Sequence, residues 1–138
     1  MTGRDFLDTN VLVYAVDVAD SRRHNIARPL LAKAVAGEFA VSAQVLAELA
    51  TTLLHKYSAK FTVPEVIAIL DSLRPVPLIK PDDVMVRRAV EAHAAYGIHF
   101  YDGMIVAAAE RAGSEKIFSE DLKAGQKYFG VEVVNPFA

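Results

Sequence analysis

Four carboxylates carry the chemistry open to this sequence: Asp8, Glu48, Asp102 and Asp121. Asp8 closes a short apolar run, Phe6-Leu7, and is followed at once by Thr9-Asn10 and a renewed apolar pattern from Val11 to Tyr14. In an open α/β sheet, ligands gather in the crevice outside the carboxyl ends of the strands. A carboxylate placed where a buried strand stops and a helix starts points into that crevice. Asp121 follows a later apolar run, Asp102 opens an alanine-rich helix, and Glu48 sits within V-L-A-E-L-A-T. Charged residues seldom occupy such apolar surroundings without a partner. This layout can gather all four acids at one edge of a sheet. There they would repel one another and raise each other's pKa values. A hard divalent cation, Mg2+ or Mn2+, relieves that repulsion through oxygen ligands. Such an ion activates water and neutralises charge on a phosphoryl group during in-line displacement, and helix N-termini nearby favour phosphate. The chemistry implied is metal-dependent phosphodiester hydrolysis. On charge layout alone, the same acids read equally well as caps and surface groups, Asp8 being a cap of its own helix.

The elements that must position these acids emerge from periodicity. Phe6-Leu7 reads as a buried strand, with Thr9 or Asn10 able to cap the helix behind it. A helix is expected from Asp20-Ser21 to about Ala36, closed by Gly37. Pro29 lies inside it, so the helix either kinks or begins later. Phe39 to Ser42 is a second strand, and Ala43 to Tyr57 a helix through Val45, Leu46, Leu49 and Leu53. Thr62-Val63-Pro64-Glu65 is a capping box that opens a helix ending before Pro75. Val76 to Ile79 is a third strand, Pro81-Asp82-Asp83 starts a helix to Tyr96, and Gly97 stops it. Tyr101 to Ala112 is a small-residue helix stopped by Gly113. Lys116 to Ser119 and Val131 to Val134 are the last two strands, with a turn at Gly125 between them. Strands alternating with helices predict a parallel, doubly wound sheet.

Composition bounds the rest. The chain has 138 residues, enough for one domain with a sizeable core, and shows no repeat, linker or low-complexity segment. Hydrophobic residues make up 53% and mean hydropathy is +0.24, which excludes disorder and leaves apolar surface for a partner. No apolar run approaches the roughly 20 residues needed to cross a bilayer, and the start of the chain does not read as a signal peptide. Cysteine is absent, so a cytoplasmic location with no membrane attachment is expected. A net charge of −2 argues against holding nucleic acid by bulk electrostatics. Three local basic clusters remain, Arg22/Arg23/Arg28/Lys33, Lys56/Lys60 and Lys123/Lys127, each of which fits a solvated helix face.

The strand ending in D-T-N, the mid-helix Glu48 of S-A-Q-V-L-A-E-L, then F-Y-D-G-M-I-V-A-A-A and I-F-S-E-D-L, resemble the PIN (PilT N-terminus) domain. Within that family the sequence is similar to the toxin ribonucleases of VapBC toxin–antitoxin pairs. The resemblance covers nearly the whole chain, 1–138 as one PIN domain, with the motifs in family order. It implies a three-layer α/β/α fold with a central parallel sheet ordered 3-2-1-4-5, and a Mg2+- or Mn2+-dependent endoribonuclease. Carried over by motif, Asp8, Glu48, Asp102 and Asp121 form the catalytic and metal-binding set, with Thr9, Asn10 and Ser119 in support. The resemblance also implies an RNA substrate, a cognate antitoxin protein covering the acidic groove, and a homodimer. Two departures stand out: Ser119 where threonine is commoner, which keeps the hydroxyl, and His99 and Gly103 around the third acid.

Other readings fit less well. A haloacid-dehalogenase-type phosphatase needs a second carboxylate two residues after the first, where this chain has Asn10. A response-regulator receiver needs an acidic pair and a late lysine that do not fall in place. No G-x-G-x-x-G or P-loop occurs, and His24, His55 and His93 lack zinc-ligand spacing. The non-enzyme alternative is a non-catalytic, metal-binding PIN-like interaction module.

Overall fold

A computed structural model describes residues 3–138. The chain opens with strand β1 (Asp5–Leu7), helix α1 (Thr9–Val16) and helix α2 (Ser21–Val35), then strand β2 (Phe39–Ser42) and helix α3 (Ala43–Thr51). A π-helical turn, Thr52–Lys56, extends α3. Helix α4 (Val63–Ser72), strand β3 (Leu78–Ile79), helix α5 (Asp83–Tyr96) and helix α6 (Phe100–Arg111) come next. Strands β4 (Lys116–Phe118), β5 (Lys127–Tyr128) and β6 (Val131–Val134) complete the chain.

The sheet runs β3-β2-β1-β4-β6-β5. Every pairing is parallel except β5 with β6, which is antiparallel. Five strands take the expected 3-2-1-4-5 places. The sixth, β5, is a polar two-residue edge that sequence periodicity cannot separate from the turn at Gly125. Phe6 and Leu7 are neighbours on one strand and face opposite sides of the sheet, yet both are 0% exposed. Both faces of the sheet are therefore covered, as a three-layer α/β/α arrangement requires. The core joins Phe6, Leu7 and Val41 of the strands to Leu12, Val45, Leu49 and Val106 of the helices.

Several boundaries differ from the sequence reading for physical reasons. Asp8, not Thr9 or Asn10, is the N-cap of α1; its side chain accepts the Thr9 amide. Helix α2 begins at Ser21 and carries Pro29 within it, so the later start is not needed. The expected helix from Ala43 to Tyr57 changes character at Thr52. Only Leu78–Ile79 of the third strand pair with β2. The capping box at Thr62 is present, with both reciprocal bonds formed. On α4, Ile67 is exposed and Leu70 half-buried, and Leu73, which caps its C-terminus, is buried.

Candidate functional site

The strand order reverses between β1 and β4, because the chain moves outward through β2 and β3 before returning to the other side of β1. The carboxyl ends of β1 and β4 therefore flank the switch-point crevice. Asp8 leaves β1 there, and Ser119, Glu120 and Asp121 leave β4. Helix α3 starts where β2 stops and carries Glu48 past the same edge. Helix α6 runs back toward β4, so its first turn, with Asp102, lies at that edge too.

Hydroxyls and amides tie the acids together. Ser119 Oγ donates to Asp8 Oδ2 at 2.8 Å and accepts the backbone amides of Asp121 and Leu122. Thr9 Oγ1 donates to Glu48 Oε2 at 2.9 Å, and Gln44 Nε2 donates to Glu48 Oε1 at 2.7 Å. Asn10 Nδ2 donates to Asp121 Oδ2 at 3.1 Å, while Asn10 Oδ1 accepts the Glu120 amide. Thr9, Asn10 and Ser119 thus each hold a different acid: Glu48, Asp121 and Asp8. Among the described residues none of the four acids forms an ion pair.

The electrostatics reflect that environment. Asp8 is only 6% exposed. Burial drives its pKa from 3.8 up to about 6; the bonds from Ser119 and the Thr9 amide oppose this, and the charges of Glu48 and Asp121 add to it. Asp102, on the exposed rim, is also raised, by burial first, with Asp121 and Glu48 pushing the same way and His99 opposing. Asp8 and Asp102 thus each lie close enough to Glu48 and Asp121 to feel their charges. Among the described residues, however, no three His, Asp or Glu side chains stand together so as to enclose one ion. The donor set is nonetheless all oxygen, which suits a hard cation. Mg2+ commonly takes only one or two carboxylates and keeps waters in its other positions.

An open groove of about 640 Å³ is lined by two of the acids, Glu48 and Asp121, with Thr9, Asn10, Lys56, Tyr57 and Tyr101, while Asp8 and Asp102 lie outside its lining. His99 is structural in the first instance: it caps α6, its Nδ1 accepting the Tyr101 amide. Gly103 is there for space, since a Cβ would lie 2.6 Å from the Ala89 carbonyl oxygen of α5. Two residues that the motifs do not point to also shape the site. Gln44 stands four residues before Glu48, a spacing that puts two side chains on one helix face. Glu120 stands at the edge of the groove; it accepts Tyr14 Oη at 2.7 Å and Arg23 Nε at 2.7 Å, anchoring the loop after β4 to α1 and α2. Burial and that bond push the Tyr14 hydroxyl up to about 12.

Comparison with known proteins gives a consistent result. The PIN domain family model matches residues 6–129. A search of curated proteins gave no match. Among solved structures, the chain is similar to a toxin–antitoxin complex from Klebsiella pneumoniae, with a TM-score of 0.69 and 19% identity over 96% of this chain and 97% of that one. It is similar to Mycobacterium tuberculosis VapC20, a sarcin–ricin loop cleaving toxin, with a TM-score of 0.66 and 20% identity over 85% of this chain and 89% of that one. It also resembles VapBC2 from Rickettsia felis bound to a promoter DNA fragment, with a TM-score of 0.64 and 21% identity over 95% of this chain and 97% of that one. At these identities the structural likeness speaks for the fold.

Proposed function

The chain belongs to the PIN domain family, and from that premise we propose that it is a metal-dependent endoribonuclease of the VapC kind, the toxin of a toxin–antitoxin pair. The observation that carries this reading is the set of four acids at the switch point, two of them with raised pKa values and none paired with a cation among the described residues. Carboxylates with perturbed pKa values beside a groove mark a candidate functional site.

Asp8, Glu48, Asp102 and Asp121 would hold Mg2+ or Mn2+. When bound, such an ion supplies charge neutralisation at the phosphoryl group and an activated water. The chain's own work is orientation. Ser119 fixes Asp8, Thr9 and Gln44 fix Glu48, and Asn10 fixes Asp121. Each of these donors is neutral, so the carboxylates keep the negative charge that attracts a cation.

An antitoxin protein and a second copy of the chain are the partners that go with this reading. Toxin–antitoxin complexes among its structural neighbours support the first. Val63 and Ile67 on α4, and Val84, Val86 and Val90 on α5, are exposed apolar residues able to serve either. No described helix is long and apolar enough to cross a membrane.

The test is RNA cleavage with Mg2+ or Mn2+ by wild type and by Asp8→Ala. Cleavage by wild type and loss of it in the variant is expected. Equal cleavage by both would reveal a contaminant and leave the non-catalytic, metal-binding module as the better reading.

A further inference from the structure

Resting on the nuclease reading, we propose that Tyr101 is a base-stacking residue for the substrate strand and that Lys56, which lines the same groove, contacts phosphate. The groove would then select RNA that is locally single-stranded. Tyr101 lines the groove directly beside Asp102 and is 60% exposed, so its ring adds little to the core. Its position is nevertheless defined. The ring lies near-parallel to the His99 imidazole, 22° between planes and 5.8 Å between centroids, and edge-on to Phe100 at 5.2 Å. The Tyr101 carbonyl accepts Gln44 Nε2 at 3.0 Å, the same nitrogen that donates to Glu48. The aromatic ring is therefore linked, through one amide, to an acid of the site.

The place of Lys56 in the groove depends on the π-helical turn. Gln44, Glu48, Thr51 and Thr52 line the groove, and an unbroken α-helix would bring His55 next onto that face, since residues three and four apart align. Instead the Tyr57 amide donates to Thr52 O at 3.1 Å, an i→i+5 closure that adds one residue to the turn. One extra residue rotates the downstream side chains by roughly 100° relative to a straight helix. Lys56 thereby takes the place due to His55, and Lys56 and Tyr57 line the groove where His55 does not. Tyr57 has cations on it, with Lys56 Nζ 5.5 Å and Lys60 Nζ 5.3 Å from its ring centroid. The groove wall beyond Glu48 thus carries a lysine in place of an imidazole.

An ammonium and an exposed aromatic ring lining one groove suit a strand whose phosphate meets the one while an unstacked base meets the other. A duplex keeps its bases stacked internally and offers Tyr101 none.

The experiment uses the full chain carrying Asp8→Asn to silence cleavage. In Mg2+ it is titrated with a short oligoribonucleotide containing one fluorescent purine, as a single strand and annealed to its complement. The single strand is expected to bind at least tenfold more tightly than the duplex, with the purine quenched. Tyr101→Phe should keep affinity and quenching, whereas Tyr101→Ala should lose about tenfold in affinity and most of the quenching. Lys56→Ala should weaken binding and lower the salt slope by about 0.7, one phosphate on a single strand. Absence of saturable binding by the parent, equal duplex binding, or full quenching in Tyr101→Ala overturns the proposal. The nuclease reading fails separately, when wild type and Asp8→Ala cleave equally.

Discussion

The two ends of α6 hold acids of the same kind under opposite conditions. At the C-terminal end, Arg88 grips Glu110 through Nε and Nη2 at 2.8 and 2.9 Å, and Arg111 reaches back to Asp82. The bond from Arg111, and then the Met85 amide that Asp82 caps, hold that carboxyl below the usual range. At the N-terminal end Asp102 has no guanidinium, and burial together with the charges of Asp121 and Glu48 raises its pKa. The contrast recurs between two adjacent residues after β4. Glu120 is pushed up by burial but ends below the usual range because Tyr14 and Arg23 outweigh it, whereas the Asp121 carboxylate, among the described residues, meets only the Asn10 amide. Glu110, Asp82 and Glu120, which hold the fold, have guanidinium groups beside them, whereas Asp8, Glu48 and Asp121 have neutral donors. A chain can retain uncompensated charge of this sort when the charge has another use.

Asp8 gives the largest expected test of that contrast. Its pKa in the folded chain is about 6 against 3.8 for the free group, so between those values the folded state holds a proton that the unfolded state has released. Stability must then fall as pH rises through that window, by about 3 kcal/mol in total at about 1.4 kcal/mol per pH unit. Asp8→Asn keeps a good N-cap and removes the ionisation. In chelator, urea unfolding from about pH 4 to about pH 7 should show the wild-type decline largely flattened in the variant, which becomes the more stable protein near neutrality by about 1–3 kcal/mol. Parallel curves would mean that Asp8 carries no electrostatic burden and would break the contrast between crevice and surface.

Sequence made the acids legible because each breaks a local pattern: Asp8 ends an apolar strand, and Glu48 interrupts an apolar helix. Their anchors were only half legible. Thr9, Asn10 and Ser119 stand next to acids in sequence, yet Thr9 bonds Glu48, 39 residues away, and Ser119 bonds Asp8, 111 residues away. Pairing across the switch point depends on strand order, which spacing does not encode. Lys56 and Tyr57 read as ordinary helix surface because periodicity assumes 3.6 residues per turn, and one π-helical turn is enough to rotate the wrong residue outward. The edge strand β5 was hidden for a different reason: two residues give no period.

Gly103 couples the two ends of α6 and allows a sharper comparison. Its backbone runs against α5, and the Cβ of Gly103→Ala would meet the Ala89 carbonyl oxygen at 2.6 Å, with the Ala89 Cα at 3.2 Å. Main-chain atoms cannot step aside as a side chain can. Overpacking of this kind costs about 1–3 kcal/mol, offset in part by the better helix propensity of alanine, about 1 kcal/mol. A net loss of up to about 2 kcal/mol in denaturant unfolding is expected, together with weaker Mg2+ stabilisation, because Asp102 is the adjacent residue. A variant as stable as wild type would show that the α5–α6 contact yields, and that glycine is not required beside the third acid.

The smallest expected effects are the most discriminating, because the two ends of one helix should answer with opposite signs. Arg88→Ala removes a pair whose side chains are 32% and 36% exposed and a guanidinium 3.4 Å from the Phe129 ring centroid. Solvent screening limits the loss to about 1 kcal/mol, and added salt should narrow it. Asp102→Asn removes a repelled charge on the exposed rim. In chelator it should leave stability unchanged or raise it by at most about 0.5 kcal/mol after the same screening. Adding Mg2+ should then raise the Tm of wild type more than that of Asp102→Asn, since a ligand stabilises in proportion to its affinity for the folded state, and should raise wild type and Arg88→Ala alike. If Asp102→Asn instead loses stability in chelator to the same extent as Arg88→Ala, Asp102 is holding the fold as Glu110 does, and the division between the two ends of α6 disappears.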